Sequence, residues 1–573
     1  MARRVSTLFL LLLFGVLSVP GYSQTSPSVA ALDLPPEVLA YPERVLFNGK
    51  VLTVDQEFST AEALAIRGGH ILAVGEDARI LKMAGPQTQR IDLEGKTVLP
   101  GLIDTHYHLN EYPERHMLLA EKGIQWEGKV ELLSLNWKDA AEALRDIKRA
   151  VDAASPGELV RVPSRNVEVF EDVTLEQLDS IAPDNPVVVA AAIQLRPAAV
   201  NSKGIQWAQI PLDTPGLPSD GGVMINGRAA GLLAQYVIQA MPVEKAIFWH
   251  KQTMGLVNSW GLTMVVTRVT PDHFNSLREI WLEDQLSVRW RVAFPGPLDI
   301  PNTGNVSDIG DDWLRISGAG GGFVPGSRSA FGHWSTQVPV TADEVSAWPQ
   351  GRRQLVEALR YGWSIPNSHI LGNIAVRAVL DAMEEALQDP IVKSSNQRIT
   401  MDHMVELFAE DFARIKKLDV ITSITMRDLF SDEHSRGSSH YQAVFGADYV
   451  NNMVPLKTYL DMGIRTTLEA DMGDEMLGRP LWTIGKAVCR CVDGSTRIWN
   501  EGQKVSRQDA LRMKTTWAAA YVGDEKKLGS LEAGKLADLV VVDGDYMSVP
   551  EDQISELEVV LTIVGGKVVY SNR

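Results

Sequence analysis

Cysteine is almost absent from this chain. Its 573 residues contain two, in Cys489-Arg490-Cys491. That rules out a disulfide framework, and half-cystines this close rarely bridge each other, so both are expected to be ordinary or buried thiols. Two thiols without flanking histidines are also too few for a closed zinc site. Positive charge is in deficit: 55 Lys and Arg stand against 72 Asp and Glu, a formal charge of −17. Nothing resembles the basic patch of a nucleic-acid binder, and an acidic surface speaks for solubility without naming a substrate. The apolar run Leu8–Val19 is too short for a comfortable membrane span. The glycine-rich stretch Gly318-Ala319-Gly320-Gly321-Gly322 lacks the following Lys-Ser/Thr of a phosphate loop and reads as a flexible loop.

What is present is ordinary globular composition, 45% hydrophobic and 22% charged, enough for a large core. Arg3 and Arg4 precede the apolar run, and Pro20-Gly21-Tyr22-Ser23 follows it. That is the grammar of a cleaved leader spanning residues 1–23. The expectation is an exported protein, periplasmic or secreted, with no stable membrane insertion after cleavage. No cysteine follows the leader to carry a lipid.

Short β segments with tight turns lie at both ends. Val45–Phe47 turns at Asn48-Gly49 into Val51–Val54, and Ala63–Ile66 turns at Gly68-Gly69 into Ile71–Val74. Near the C-terminus, Ala537–Asp543 precedes Leu561–Val564, which turns at Gly565-Gly566 into Val568–Tyr570. Pairing the two ends removes open edges and pools two small cores. A discontinuous β-sandwich domain of residues 41–99 and 526–573 is therefore expected. Between them, strand-like and helix-like stretches alternate, as in parallel βα units. The strand candidates are Thr97–Ile103, Thr263–Thr267, Val288–Phe294, Trp313–Ser317, Trp363–Asn367, Arg398–Met401, Asp419–Met426 and Thr466–Ala470. They suit an α/β fold of the distorted (β/α)8 TIM-barrel type over residues 100–525. A long insertion at about 111–260 either covers its active face or forms an embedded domain.

The strongest local signal is Pro100-Gly101-Leu102-Ile103-Asp104-Thr105-His106-Tyr107-His108. Side chains at i and i+2 of an extended chain point to one side, so both imidazoles can reach one ion at about 2.0–2.1 Å. His369, His403 and Asp471 end three further strand candidates, on the face where barrel enzymes keep their chemistry. Glu111, Glu114 and His116, and the group Asp432, Glu433, His434 and His440, offer ligand types but read more simply as surface loops.

Together, His106-Tyr107-His108, His369 before Gly372, Asp402-His403 and Asp471 resemble the metal site of the amidohydrolase superfamily. With the ending Gly529–Val540, the chain is most similar to the N-acyl or formamide hydrolase branch, amidohydrolase family 3 or YtcJ-like. The resemblance implies a divalent metal, in the first place zinc, held by His106, His108 and His369. Asp471 would ligate the ion or take a proton from its water. His403 would bind a second ion, or hydrogen-bond the developing oxyanion. It further implies hydrolysis of an amide or related C–N bond in a small-molecule substrate by a metal-activated water. Relatives carry a Lys on the fourth strand that can be carbamylated to bridge two ions; here Arg315 stands in its place, and a guanidinium cannot form that carbamate. One ion is therefore favoured over a bridged pair. The same scaffold also leaves open ester cleavage, decarboxylation, isomerisation or plain binding.

Overall fold

A computed structural model of the chain describes residues 41–572, apart from 110–136, 165, 192–197, 219–220, 240–241, 270, 296–303, 322–334, 337–341, 394–396, 431–440, 444 and 472–477. The leader, Glu111, Glu114, His116, Gly322, Asp432, Glu433, His434 and His440 lie outside the described residues. The chain divides at Tyr41/Pro42 into two units, and every described strand and helix lies in the second, Pro42–Arg573. The fold is mixed α/β.

Strands from the two chain ends share a six-stranded sheet. Its order is Lys567–Ser571, Val559–Val564, Leu539–Val542, Thr97–Pro100, Lys50–Leu52 and Thr60–Ala61. A four-stranded sheet of His70–Gly75, Ala63–Arg67, Arg44–Phe47 and Gln89–Asp92 packs on it. Alternation decides which core each residue joins. Leu539 and Val541 pack with Leu46, Leu64 and Ile66 between these sheets, while Val540 and Val542 face the large central core. The positive φ of Gly68 (59°) and Gly69 (76°) closes the hairpin between Ala63–Arg67 and His70–Gly75, a backbone that residues with a Cβ adopt only under strain.

The expected strand Thr97–Ile103 is two strands, because the chain changes sheets at Gly101. Thr97–Pro100 pairs with Leu539–Val542, and Leu102–Asp104 pairs with Leu262–Arg268. A Cβ on Gly101 would lie 2.3 Å from Thr263 Oγ1, so only glycine permits this crossing.

Four parallel strands follow in the order Leu314–Gly320, Arg289–Pro295, Leu262–Arg268 and Leu102–Asp104. A second parallel sheet holds Thr400–Met401, Ile421–Thr425 and Thr466–Glu469. Their near-continuous burial is that of strands covered on both faces. Single parallel bridges join Tyr107 to Asp471, Ile365 to Ile399 and His369 to Asp402. The expected strand Trp363–Asn367 is not regular, and Pro366, which has no N–H to give, lies in the middle of it. It instead accepts hydrogen bonds at Ser364 O from Ala319 N (3.0 Å) and at Asn367 O from Gly321 N (3.1 Å). Gly318 and Gly320 allow that approach, since a Cβ would lie 2.2 Å from Ser364 O and 2.4 Å from Pro366 O. Gly318–Gly320 is thus strand and not the flexible loop expected.

Within the long insertion, Met224–Ile225, Ala198–Val200, Val187–Ala191 and Val160–Ser164 form a sheet of their own. Val187 and Val189 face one core, Val188 and Ala190 another. The insertion therefore contains an embedded α/β layer.

One expectation fails outright. Cys489 and Cys491 are disulfide-bonded, with Cα atoms 5.1 Å apart. The helix Pro480–Cys489 ends at Arg490 in the left-handed conformation (φ 58°), which folds the chain back so that the second sulfur returns to the first. Arg490 is fixed there by hydrogen bonds to Val454 O and Trp499 O.

Among the described residues, no helix is long and apolar enough to cross a membrane.

Candidate metal centre

The residues singled out from the sequence meet at the carboxyl ends of the parallel strands. His106 and His108 follow Leu102–Asp104, and Asp471 follows Thr466–Glu469. Backbone hydrogen bonds interlock these two ends: Asp471 N donates to His106 O (2.8 Å) and His108 N to Asp471 O (3.0 Å). Below them, buried Asp104 accepts from His106 N and Ala470 N, each at 3.1 Å, and pairs with buried Lys514 at 2.6 Å. One carboxylate therefore ties both strand ends together.

Three donor atoms converge. His106 Nε2 and His108 Nε2 are 3.3 Å apart, and Asp471 Oδ1 lies 3.6 Å from the first and 3.2 Å from the second. Ligands of a tetrahedral ion bound at about 2.0–2.1 Å are separated by about 3.3–3.4 Å, so this triangle has the size of a coordination face. The protonation states suit it. Burial, then the charge of His403, holds His106 well below the usual imidazole range, so it is neutral. Burial works against ionisation of Asp471, but Arg427 and the His108 hydrogen bond outweigh it and keep the carboxyl well below its usual range. Arg427 Nη1 sits 3.2 Å from its other side, Oδ2.

Residues to which the sequence assigns no role orient the ligands. Asp402 Oδ2 is 2.8 Å from His106 Nδ1, and its Oδ1 accepts from Tyr521 Oη at 2.5 Å. Tyr521 in turn accepts from Asn367 N. A carboxylate at Nδ1 fixes the proton there and leaves the Nε2 lone pair for a ligand. Glu469 Oε1 lies 2.5 Å from His403 Nδ1 and also accepts from His403 N. Burial opposes a charge on His403, yet Glu469 pushes it up to about 9. His403 Nε2 and Glu469 Oε2 are buried with no hydrogen-bond partner among the described residues. Buried polar atoms are rarely left so, and both mark room for a bound group.

His403, Asp471 and Asn367 have φ of 60°, 54° and 56°. Left-handed residues grouped in this way are a recurrent property of functional sites, where surrounding structure enforces them. His369 packs its ring 4.5 Å from that of His403. It belongs to neither set of three donors found within 4.8 Å, which are His106–His108–Asp471 and His106–Asp402–Glu469. In the second set His106 Nδ1, both Asp402 oxygens and Glu469 Oε1 are engaged with one another or with Tyr521 and His403, so it reads as support for the first.

Arg315 is not at the centre. It stands at the amino end of Leu314–Gly320, in register with Arg291, and pairs with Asp524 at 2.9 Å. The residue level with the mouth is Gly318, through Arg268↔Ala293↔Gly318, three residues or about 10 Å further along. Arg315 therefore neither repels an ion nor meets a substrate. The cation at the centre is Arg268, whose Nη2 is 3.0 Å from His108 Nε2.

Imidazoles and a carboxylate on interlocked parallel strand ends are the architecture of a metal-dependent hydrolase. Residues 89–570 match the model of the amidohydrolase family, and the chain belongs to that family, making it a hydrolytic enzyme by membership. It is 25% identical to Protein LONG AFTER FAR-RED 3 of Arabidopsis thaliana, over 91% of either chain. It is 24% identical to the N-substituted formamide deformylase of Arthrobacter pascens, over 92% of this chain and 98% of the relative. Its fold is shared with an uncharacterized metal-dependent hydrolase from Pyrococcus furiosus, with TM-score 0.67 and 22% identity over 88% and 100% of the two chains.

Proposed function

We propose that the chain is an exported, zinc-dependent hydrolase that cleaves an amide or related C–N bond of a small molecule. The observation that carries this reading is the His106–His108–Asp471 triangle, with edges of 3.2–3.6 Å. Likeness to a formamide deformylase over nearly the full length of both chains supports the bond type. His106, His108 and Asp471 would hold the ion, with His369 and His403 beside them. When bound, a divalent ion supplies Lewis acidity and, by lowering the pKa of water at its open position to about 7, a nucleophile at neutral pH. Asp402 holds His106 in the ligating tautomer. The ionised Asp471 carboxylate is placed to accept a proton. His403, protonated and clamped by Glu469, presents Nε2–H as a donor to an oxyanion forming on the substrate carbonyl.

One ion is favoured over a carbamate-bridged pair, because the fourth-strand residue level with the mouth is Gly318. The seven parallel strands and the segment 363–369 are read as the eight staves of a distorted (β/α)8 barrel. Two contacts across its interior support this. Thr105 Oγ1 hydrogen-bonds both Ser423 and Thr467, and Asn367 Nδ2 reaches Val266 O. The sheets drawn from the chain ends, residues 41–99 and 526–573, are read as one discontinuous β-sandwich domain. Export rests on the leader pattern of residues 1–23, and N-terminal sequencing of the mature protein tests it.

The decisive experiment is metal stoichiometry followed by turnover on matched amides, carbamates and esters. Replacing His106 and His108 together with Ala is expected to remove both zinc and turnover. A metal-free double variant with full activity would overturn the mechanism.

A further inference from the structure

Arg268 closes the strand Leu262–Arg268 at its carboxyl end, and the rest of that strand is buried. A guanidinium is always charged, and a partly buried charge needs a counter-charge. Yet among the described residues the side-chain contact Arg268 makes is to an imidazole nitrogen, His108 Nε2, at 3.0 Å, and it forms no ion pair with a carboxylate. That nitrogen is also the one an ion would use, so metal and guanidinium would compete for it. A loaded centre would displace Arg268 from that nitrogen and leave its donors at the edge of the site.

Most carboxylate oxygens nearby are already engaged. Asp471 faces the two histidines with Oδ1 and Arg427 with Oδ2. Asp402 spends one oxygen on His106 and the other on Tyr521. Glu469 gives Oε1 to His403, and its free Oε2 lies two residues deeper along the strand than Asp471, in a side chain with no solvent exposure.

We propose that Arg268 is the anchor for a substrate carboxylate: the enzyme takes amides that carry a carboxylate within a few bonds of the scissile C–N bond, and the Arg268 fork binds that group. This rests on the hydrolase reading above. The planar guanidinium matches a carboxylate in two parallel hydrogen bonds. Bound there, the acid orients the amide carbonyl toward the centre.

The test uses the zinc-loaded full chain and matched pairs, N-formylglycine against N-formylglycinamide and hippurate against hippuramide. Wild type is expected to prefer the acid of each pair. In Arg268→Gln the acid-to-amide ratio of kcat/KM falls by about 10- to 100-fold, chiefly through KM, and Arg268→Lys retains part of it. Two readouts need no turnover. Zinc affinity, measured by chelator competition, is expected to rise in Arg268→Gln because the competing donor is gone. Acetate binding to the zinc-loaded protein, followed by calorimetry, is expected to weaken at least tenfold. An unchanged acid-to-amide ratio or unchanged acetate affinity in Arg268→Gln overturns the anchor. A zinc-replete wild type that hydrolyses no amide overturns the hydrolase reading instead, and the acetate measurement still decides the anchor.

Discussion

Replacing Asp402 with Asn tests how the centre is built, because it changes a buried carboxylate by one atom. Asp402 accepts from His106 Nδ1 at 2.8 Å and from Tyr521 Oη at 2.5 Å, and neither of its oxygens meets solvent. An amide cannot satisfy both neighbours. If its oxygen faces His106, its NH2 faces a tyrosine that already accepts from Asn367 N, and the tyrosine proton loses its acceptor. If its NH2 faces His106, Nδ1 must accept, the proton moves to Nε2, and that nitrogen can no longer bind an ion. Loss of such an orienting partner typically weakens metal binding 10- to 100-fold, or about 1.4–2.7 kcal/mol at about 1.36 kcal/mol per tenfold. The assay is zinc competition against a chromogenic chelator near neutral pH, with thermal melting to establish that the variant is folded. Zinc affinity within about twofold of wild type in a folded variant would refute the tautomer argument.

Two further outcomes concern the frame around the site. Burial, then the charge of His273, lowers the buried His250 from 6.5 to about 3. The unfolded chain takes up that proton near pH 6.5 and the folded chain only near pH 3. The associated stability is therefore present above pH 6.5 and lost as pH falls through that window, by about 2 kcal/mol at pH 5. In His250→Gln this part of the acid destabilisation disappears, and urea unfolding at pH 7.5 and 5 that shows equal slopes for variant and wild type would exclude it. Lys514→Met leaves Asp104 buried without its cation, at an expected cost of about 3–5 kcal/mol. Adding Asp104→Asn should restore much of it, since an amide oxygen can still accept from His106 N and Ala470 N; a single variant costing under about 1 kcal/mol in urea unfolding would contradict the pairing.

The carboxyl-end placement of His106, His403 and Asp471 was legible because each terminates an apolar run, and such runs mark strands buried on both faces. The supporting residues were partly legible. Glu469 stands two residues before Asp471, where an extended chain would put both on one side, and a second carboxylate there is a signal. Arg268 carries one too, as a lone charge ending Leu262–Arg268. Tyr521 and Lys514 carry none: they meet Asp402 and Asp104 from 119 and 410 residues away, and only the closed tertiary structure brings them in. Cys489 and Cys491 escaped because their pairing depends on one left-handed residue, Arg490, that favours neither helix nor strand patterning.

The misplacement of Arg315 shows where periodicity stops helping. Alternation tells which side of a strand a residue faces but not how far along the strand the mouth lies, and Arg315 stands three residues, about 10 Å, short of it. At the amino end, Arg315 and Arg291 share Asp524, and Arg289 holds Asp538 with two hydrogen bonds. Asp538 leads into Leu539–Val542 of the sheet built from both chain ends. Arg289 therefore ties the parallel strands to that sheet at the end opposite the metal centre, while Arg291 and Arg315 tie them to Asp524, beyond the helix Thr516–Tyr521. The same residue type serves two ends of the strands in different ways. At the amino end Arg289, Arg291 and Arg315 each have a carboxylate of their own chain, whereas among the described residues Arg268 at the carboxyl end meets an imidazole nitrogen. That contrast, and not the presence of an arginine as such, is the reason to look for its counter-ion in the substrate.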